Sequence, residues 1–544
     1  MSRLIVLSNR VKTPDNQPMA GGLAVALQDI LQGNSVIWMG WNGDITESCN
    51  DGTDNEFSSN KNKASVDTER LLADTSLTYM TTAFTSEQYR QFYCGFANSV
   101  LWLLLHERPE LMSQAADDYQ GYQEVNRLFA HKIKQVIEPD DVIWVHDYHF
   151  LSVAYHCRSL GITNRIGFFL HIPFAPLAFW QQLDQSAELI HHLAHYDVLG
   201  TQTEHDKANC LAVLQHYLNR RLLSNNPLTY VPKDILATKD SFISAYTPAV
   251  KELLIQLDIK PEHSLIVNAY PIGVNVTKIQ QQVGHLWSPS LSADKSNNLK
   301  TPIKPAAQQI IAVDRIDYSK GLLKRFSAYR SFLQQYPSYQ TQLQLKQIAC
   351  PSRLDLPAYQ HLYDTVRVAI AKANQQLATS MGKTNSFDPK TYKTNRAMTD
   401  WQAIDYSEKV LDHKALMMLF LQSDVGWVNS LKDGMNLVAK EYIAAQNPDD
   451  PGVLLLSRYA GAAEQMQDAV IIDPLQPASI IQGLRVALTM PLGERQLRYQ
   501  KLLQGLQRDD LQAWQQRFLG DLYKDNGQQT QSLSPEQSEL PESQ

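Results

Sequence analysis

Cysteine is scarce: five residues in 544, at 49, 94, 157, 210 and 350, with no CxxC spacing. That excludes a disulfide-stapled scaffold and favours reduced thiols in a cytoplasmic protein. No apolar run approaches the roughly 18 residues of a membrane span. MSRLIVLSNR lacks the charged and apolar regions of a secretory signal, and its apolar run is strand-length. A basic excess is missing too, with a net charge of -7, so a protein that coats nucleic acid is not expected. No GxGxxG follows the first apolar run, and no GxSxG elbow occurs. Gly382-Lys-Thr384 resembles the end of a phosphate-binding loop, but position 377 is Leu where the first glycine is needed. His191, His192 and His195 lack the carboxylate of HExxH and are expected on a solvated helix face.

What is present is a repeated pattern. Short β-branched runs precede polar loops and helical stretches at Leu4–Leu7, Val142–Val145, Ile166–Leu170 and Val198–Thr201. They recur at Ile310–Val313, Leu343–Ile348, Val425–Val428, Val453–Leu456 and Val470–Ile472. Continuous apolar strands alternating with helices predict parallel sheets covered on both faces. One core stops growing at roughly 250–300 residues, so two series in this length predict two doubly wound α/β domains. Their ligands belong beyond the carboxyl ends of strands. The expected division is 1–275, 306–508, a C-terminal helix 509–525 and a disordered tail 526–544. Stretches 47–65, 225–241 and 287–305 have the composition of surface insertions and a linker.

Candidate chemistry sits after the predicted strands. In Ser430-Leu-Lys-Asp-Gly-Met-Asn-Leu-Val-Ala-Lys-Glu441, Gly434 is suited to positive φ, and a helix from about Asn436 would offer unpaired N–H groups. Such a turn can hold the hydroxyls and phosphates of a nucleotide sugar, or be a plain capped connection. In Asp314-Arg-Ile-Asp-Tyr-Ser-Lys-Gly321, Arg315 and Lys320 suit a departing diphosphate, or pair with Asp314 and Asp317. Ser8-Asn-Arg10, Gly21-Gly22, His146-Asp-Tyr-His149 and His171-Ile-Pro173 are further polar strand ends and close-approach glycines.

In order along the chain, SNR, GGLA, GWNGD, HDYH, NRIGFFLHIPF, DYSKG and KDGMNLVAKEY resemble the trehalose-6-phosphate synthase family of retaining glycosyltransferases. The resemblance covers nearly all of Ser2 to about Arg508. It implies a GT-B fold, two Rossmann-like domains facing a central cleft, and a glucosyl transfer from UDP-glucose to glucose 6-phosphate with no cofactor and no metal. On the donor side it implies Arg315 and Lys320 for the diphosphate, Leu437, Val438, Ala439 and Lys440 for the nucleotide, and Glu441 for the ribose. Asp433, Gly434, Met435 and Asn436 would hold the glucosyl group, Leu411 would flank the uracil, and Gly21 and Gly22 would close over the donor. On the acceptor side, Arg10 and Arg353 would take the phosphate, Tyr93, Trp41 and Trp102 would line the site, and Asp147 would orient the hydroxyl. His171 would lie at the reacting centre, with Ile172 and Trp102 setting anomeric selectivity. Leu411 replaces a common Phe, Lys432 a common Arg, Asp314 a common Glu, and Ala175 follows HIPF where the family has Pro. No phosphatase motif follows Pro474. The sibling readings are a glucosylglycerol-phosphate synthase using ADP-glucose and glycerol 3-phosphate, and a weakly active sugar-phosphate sensor. No nucleic-acid or membrane partner is expected, and a homo-oligomer is left open.

Overall fold

A computed structural model describes residues 3–11, 35–46, 77–218, 221–222, 229–231, 264–284, 308–380 and 401–524. Gly21, Gly22, the stretches 47–65 and 287–305, Gly382-Lys-Thr384 and the expected tail lie outside them, as does most of 225–241.

The N-terminal half builds a nine-stranded sheet in the order β3-β2-β1-β4-β5-β6-β9-β8-β7. Its strands are β1 (Leu4–Arg10), β2 (Val36–Thr46), β3 (Leu77–Thr85), β4 (Val142–His146), β5 (Ile166–Phe169), β6 (Val198–Thr201), β7 (Arg221–Leu222), β8 (Thr229–Val231) and β9 (Leu265–Ala269). β1 to β6 and β9 pair in parallel, while β7 and β8 pair antiparallel at one edge. β8 therefore lies inside a stretch whose composition predicted only a surface insertion. β2, β3 and β9 were not expected from their sequences; β2 carries Gly40 and Gly43, and β3 is rich in Thr without regular alternation.

The C-terminal half builds a parallel six-stranded sheet in the order β12-β11-β10-β13-β14-β15. These are β10 (Gln308–Arg315), β11 (Leu343–Cys350), β12 (Ile404–Ser407), β13 (Val425–Val428), β14 (Val453–Ser457) and β15 (Val470–Ile472). In both sheets the strand order reverses beside the first strand, at β1/β4 and at β10/β13. Such switch points leave a crevice at the strands' carboxyl ends. β10 and β13 register at only two positions, Ile310 with Val425 and Ile311 with Gly426. Beyond them the buried Arg325 guanidinium joins the carboxylate of Asp314, Gln347 Oε1 at 2.8 Å and the carbonyl of Trp427 at 3.3 Å.

An apolar seam joins the halves. Trp38, Trp144, Phe169 and Tyr270 share one buried cluster with Met435, Tyr442, Met466 and Trp514. The helix α1 (Leu511–Tyr523) is capped by Asp510, whose carboxylate accepts from Ala513 N at 2.8 Å. Though last in sequence, it packs on the N-terminal sheet. Phe518 stacks on Trp144 at 5.1 Å, and Tyr270 donates to Asp521 at 2.7 Å. Burying a side chain such as Phe518 contributes roughly 1.5–3 kcal/mol.

Candidate functional site

The two crevices open into one cavity of about 670 Å³. Its walls are strand ends and the segments that follow them: Ser8–Arg10 at the end of β1, Asp147–His149 after β4, His171 and Ile172 after β5, Arg315 at the end of β10 with Lys320 beyond it, Pro351–Arg353 after β11, and Asp433, Met435–Val438 and Glu441 after β13. Three residues at this cavity hold positive φ without being glycine: Asp147 at 75°, Arg353 at 54° and Asn436 at 76°. Backbone strain of order 1–3 kcal/mol per residue persists where the surrounding structure over-determines it, commonly at functional sites.

Asp147, with ψ at 165°, lies in a region that is essentially confined to glycine. Its N–H donates to Phe169 O at 2.8 Å, and its carboxylate accepts weakly from His171 N at 3.4 Å. Burial raises its pKa to about 6, against the opposing pull of the Tyr148 and His171 N–H groups, Arg315 and Arg353. His171 is partly exposed in the cavity, and its Nε2 meets Nδ1 of the buried His146 at 3.0 Å. Burial lowers His171 to about 3 and holds His146 well below its ordinary value, so both rings are neutral.

The acceptor-side arginines differ sharply. Arg10 is exposed, its guanidinium 5.4 Å from the Trp41 ring. Arg353 is nearly buried and lies 3.9 Å over Trp102. Its Nη1 meets Asp317 at 2.8 Å and Tyr359 Oη at 3.2 Å, and its Nη2 meets Tyr148 Oη at 3.3 Å. Burial works against ionisation of Asp317, yet Arg353, Arg315 and His106 hold its pKa far below the usual carboxylate range. Asp317 also accepts from Ser319 N at 3.0 Å. One carboxylate therefore fixes both Arg353 and the loop that carries Lys320. Tyr93 and Trp102 line the cavity, whereas Trp41 does not; it stands behind Arg10 and 5.6 Å from Tyr93, stacked on Phe84.

Also on the C-terminal wall, Lys320 forms an ion pair with Asp433. Ser430 Oγ and Asn436 Nδ2 also donate to that carboxylate, each at 3.0 Å. Burial opposes its ionisation, but Lys320, Asn436 and His106 keep Asp433 below its ordinary pKa. Arg315 is exposed in the cavity, 5.5 Å from the Trp102 ring. The alternative pairing of these cations with Asp314 and Asp317 is not adopted. Asp314 takes Arg325 and Asp317 takes Arg353.

The helix α2 (Leu437–Ala444) starts at the cavity wall. Asn436 caps it, its side chain accepting from Ala439 N at 3.2 Å. Positive φ falls on Asn436 and on Gly321, at 62°, not on Gly434 as the sequence suggested. Gly434 is needed for another reason: a Cβ there would lie 2.3 Å from the carbonyl oxygen of His171. The two halves touch backbone to backbone at that point. Met435, Leu437, Val438 and Glu441 line the cavity, as do Leu411 and Ile172. Glu441 lies 3.8 Å from His413 Nε2, and His413 Nδ1 meets Gln282 Oε1 at 3.0 Å.

Lys440 departs from its expected place. Its side chain is buried on the far side of α2 and donates to Ile272 O at 2.6 Å and Gln465 Oε1 at 2.7 Å. Burial lowers its pKa to about 7. Ala439 is also fully buried and outside the cavity lining. The histidines His191, His192 and His195 are buried, not solvated. His192 stacks on Tyr155 at 3.9 Å and meets Ser152 Oγ at 2.8 Å. Burial holds His192 well below its ordinary pKa, so its neutral ring packs there as an aromatic one. His413 was missed by sequence reasoning, while His146, Tyr148 and Asp317 were named within their segments but not with the partners they take here, which only tertiary contact conveys. The Lys432 substitution is accommodated by an ion pair with Glu107 at 2.6 Å.

Two doubly wound sheets whose switch points face one cleft, with cations on both walls, define a GT-B glycosyltransferase. The family model described as Glycosyltransferase family 20 matches residues 7–524, and the chain belongs to that family. It is 35% identical over 527 residues to the trehalose-6-phosphate synthase of Sodalis glossinidius (strain morsitans), covering 96% of each chain. Among solved structures, an alpha,alpha-trehalose-phosphate synthase (UDP-forming) from Burkholderia xenovorans in complex with glucose-6-phosphate is similar at TM-score 0.76 and 31% identity, over 96% of this chain and 100% of that one. An E. coli structure bound with UDP-2-fluoro glucose is similar at TM-score 0.75 and 32% identity, over 96% and 99% of the two chains. Among the described residues no helix is long and apolar enough to cross a membrane.

Proposed function

We propose that this chain transfers glucose from UDP-glucose to glucose 6-phosphate with retention of configuration, giving trehalose 6-phosphate and UDP. The observation that carries the reading is the placement of two cation pairs on one cavity: Arg10 with Arg353, and Arg315 with Lys320. Each pair suits one phosphate-bearing substrate. The acceptor phosphate lies between Arg10 of the N-terminal half and Arg353, which follows β11 of the C-terminal half, beside Tyr93 and Trp102. The donor diphosphate lies with Arg315 and Lys320 in the C-terminal half, with its ribose on Glu441.

In the reaction the bond from glucosyl C1 to the diphosphate oxygen breaks, and its electron pair leaves with UDP. The acceptor hydroxyl oxygen bonds to C1 on the same face, and its proton passes to the departing diphosphate oxygen. Arg315 and Lys320 stabilise the charge growing on that oxygen. Asp147 orients the acceptor hydroxyl, while Asp433 and the 434–436 backbone hold the glucosyl group. Trp102 and Ile172 restrict the approach of the acceptor. Closure of the halves positions both substrates and excludes water.

The test is release of the donor's own nucleoside diphosphate, UDP or ADP, measured across a panel of donors and acceptors. UDP-glucose with glucose 6-phosphate is expected to give the highest turnover. Preferred use of ADP-glucose with glycerol 3-phosphate would identify a glucosylglycerol-phosphate synthase instead. Binding without turnover in any combination would identify a sensor.

A further inference from the structure

We propose that His146 is a positioning residue: it fixes His171 as the tautomer with its proton on Nδ1, so that an N–H donor faces the cavity. The significance for transfer rests on the function proposed above, whereas the tautomer itself does not.

The contact between His146 Nδ1 and His171 Nε2, at 3.0 Å, requires one proton between two nitrogens. Both rings are neutral, so each carries one N–H and one lone pair. If His171 Nε2 carried the shared proton, His146 would hold its own proton on Nε2. That atom is buried and has no partner among the described residues. If His146 Nδ1 carries the shared proton, only a lone pair is left on the buried Nε2. Orphaned buried N–H groups are the rarer case in folded proteins.

The surroundings point the same way. The Trp144 ring lies 4.4 Å from His146, and the Trp514 ring 6.2 Å from His171. Both indole Nε1 atoms are buried without a partner among the described residues. An indole nitrogen is a donor only. A pocket already holding two unpaired donors favours a lone pair on His146 over a third N–H. His171 Nδ1 then carries the proton, and His171 lines the cavity. The ring would donate to an oxygen of the bound sugar, not accept from one. Trp514 belongs to α1, so the end of the chain helps build the environment that sets this tautomer.

The test uses the full chain labelled with ¹⁵N-histidine, without substrate. Long-range ¹H–¹⁵N correlation reports which nitrogen of each ring is protonated, and His171→Gln assigns the His171 signals. His146→Asn keeps an N–H near the position of Nδ1, whereas His146→Leu removes it. The wild type and His146→Asn are expected to show a protonated Nδ1 and a bare Nε2 on His171. His146→Leu should move proton onto Nε2. In kinetics, His146→Leu should lower kcat by about 10- to 100-fold, the scale for losing a group that orients a functional histidine. The KM values should change less, and His146→Asn should recover most of the rate. A wild-type His171 protonated on Nε2 overturns the proposal, as does an unchanged pattern in His146→Leu. If the leucine variant does not fold, the wild-type and asparagine spectra decide. Loss of the transfer reading alone would leave the spectra as predicted.

Discussion

Lys320 and Asp433, from loops after β10 and β13, form an ion pair at the cavity wall. The pair joins a residue assigned to the leaving diphosphate with one assigned to the transferred sugar. Charge on the departing UDP grows only as the bond breaks, so in its proposed role Lys320 would contribute chiefly in the transition state and its loss would appear in kcat. Lys320→Ala should cut kcat by about 10²-fold or more, with a smaller change in donor KM. Lys320→Arg should restore only part, because a planar fork does not replace a point charge. Steady-state kinetics with a circular-dichroism check of folding measure this; a folded alanine variant with near-normal kcat removes Lys320 from the mechanism.

Arg353→Ala has two expected effects. The acceptor KM rises strongly, because a charge-assisted phosphate contact is lost. Stability also falls, by about 3–5 kcal/mol, because Asp317 is left buried without its partner. Arg353→Ala combined with Asp317→Asn should recover much of the stability and none of the acceptor affinity. Denaturation midpoints and acceptor titrations separate the two. An unchanged acceptor KM in the single variant would show the phosphate contact to be misassigned.

Asp147 sets an acid limb. Its folded pKa of about 6 lies above the ordinary carboxylate value, so the folded state holds a proton that the unfolded chain has released. The native state is therefore destabilised by this group as pH rises from about 4 to about 6, with the full penalty above that range. Activity should run the other way, since in the proposed role only the carboxylate orients the acceptor. The kcat/KM profile should fall below an apparent pKa near 6. In Asp147→Asn that limb should vanish along with most of the activity. A profile flat from pH 5 to 7 would contradict the assignment.

Gly434→Ala should impair closure without unfolding either half. The added Cβ would sit 2.3 Å from the His171 carbonyl, a backbone atom that cannot swing aside. We expect a loss in kcat/KM of at least about tenfold, the order that a misplacement of the reacting groups costs, with a nearly unchanged melting temperature. A variant of wild-type activity would show that the halves need not meet at this point.

If Arg315 and Lys320 supply two fixed charges for the diphosphate, as proposed, turnover should persist in excess EDTA. Abolition by EDTA with recovery on adding magnesium would overturn that assignment.

The strand ends were legible in the sequence because apolar runs buried on both faces leave a strong signal, as at Val142–Val145 and Val425–Val428. β2 and β3 were not, since Gly40, Gly43 and the Thr-rich β3 dilute the pattern. Within the site, the residue types of the DYSKG and KDGMN loops were readable, but their partners were not. Arg325 on a following helix takes Asp314, and Arg353 from another strand end takes Asp317. The Lys440 side chain turns away from the cavity, and motif membership does not say which side of α2 a residue faces. Gly434 was correctly singled out for the wrong reason: the constraint is a neighbouring half's backbone, which no local pattern carries.

The most direct test of the account is NMR of the product formed from UDP-glucose and glucose 6-phosphate. The account predicts a phosphorylated disaccharide with both anomeric centres α, formed together with UDP. A β linkage, a free glucose product or no transfer at all would contradict it.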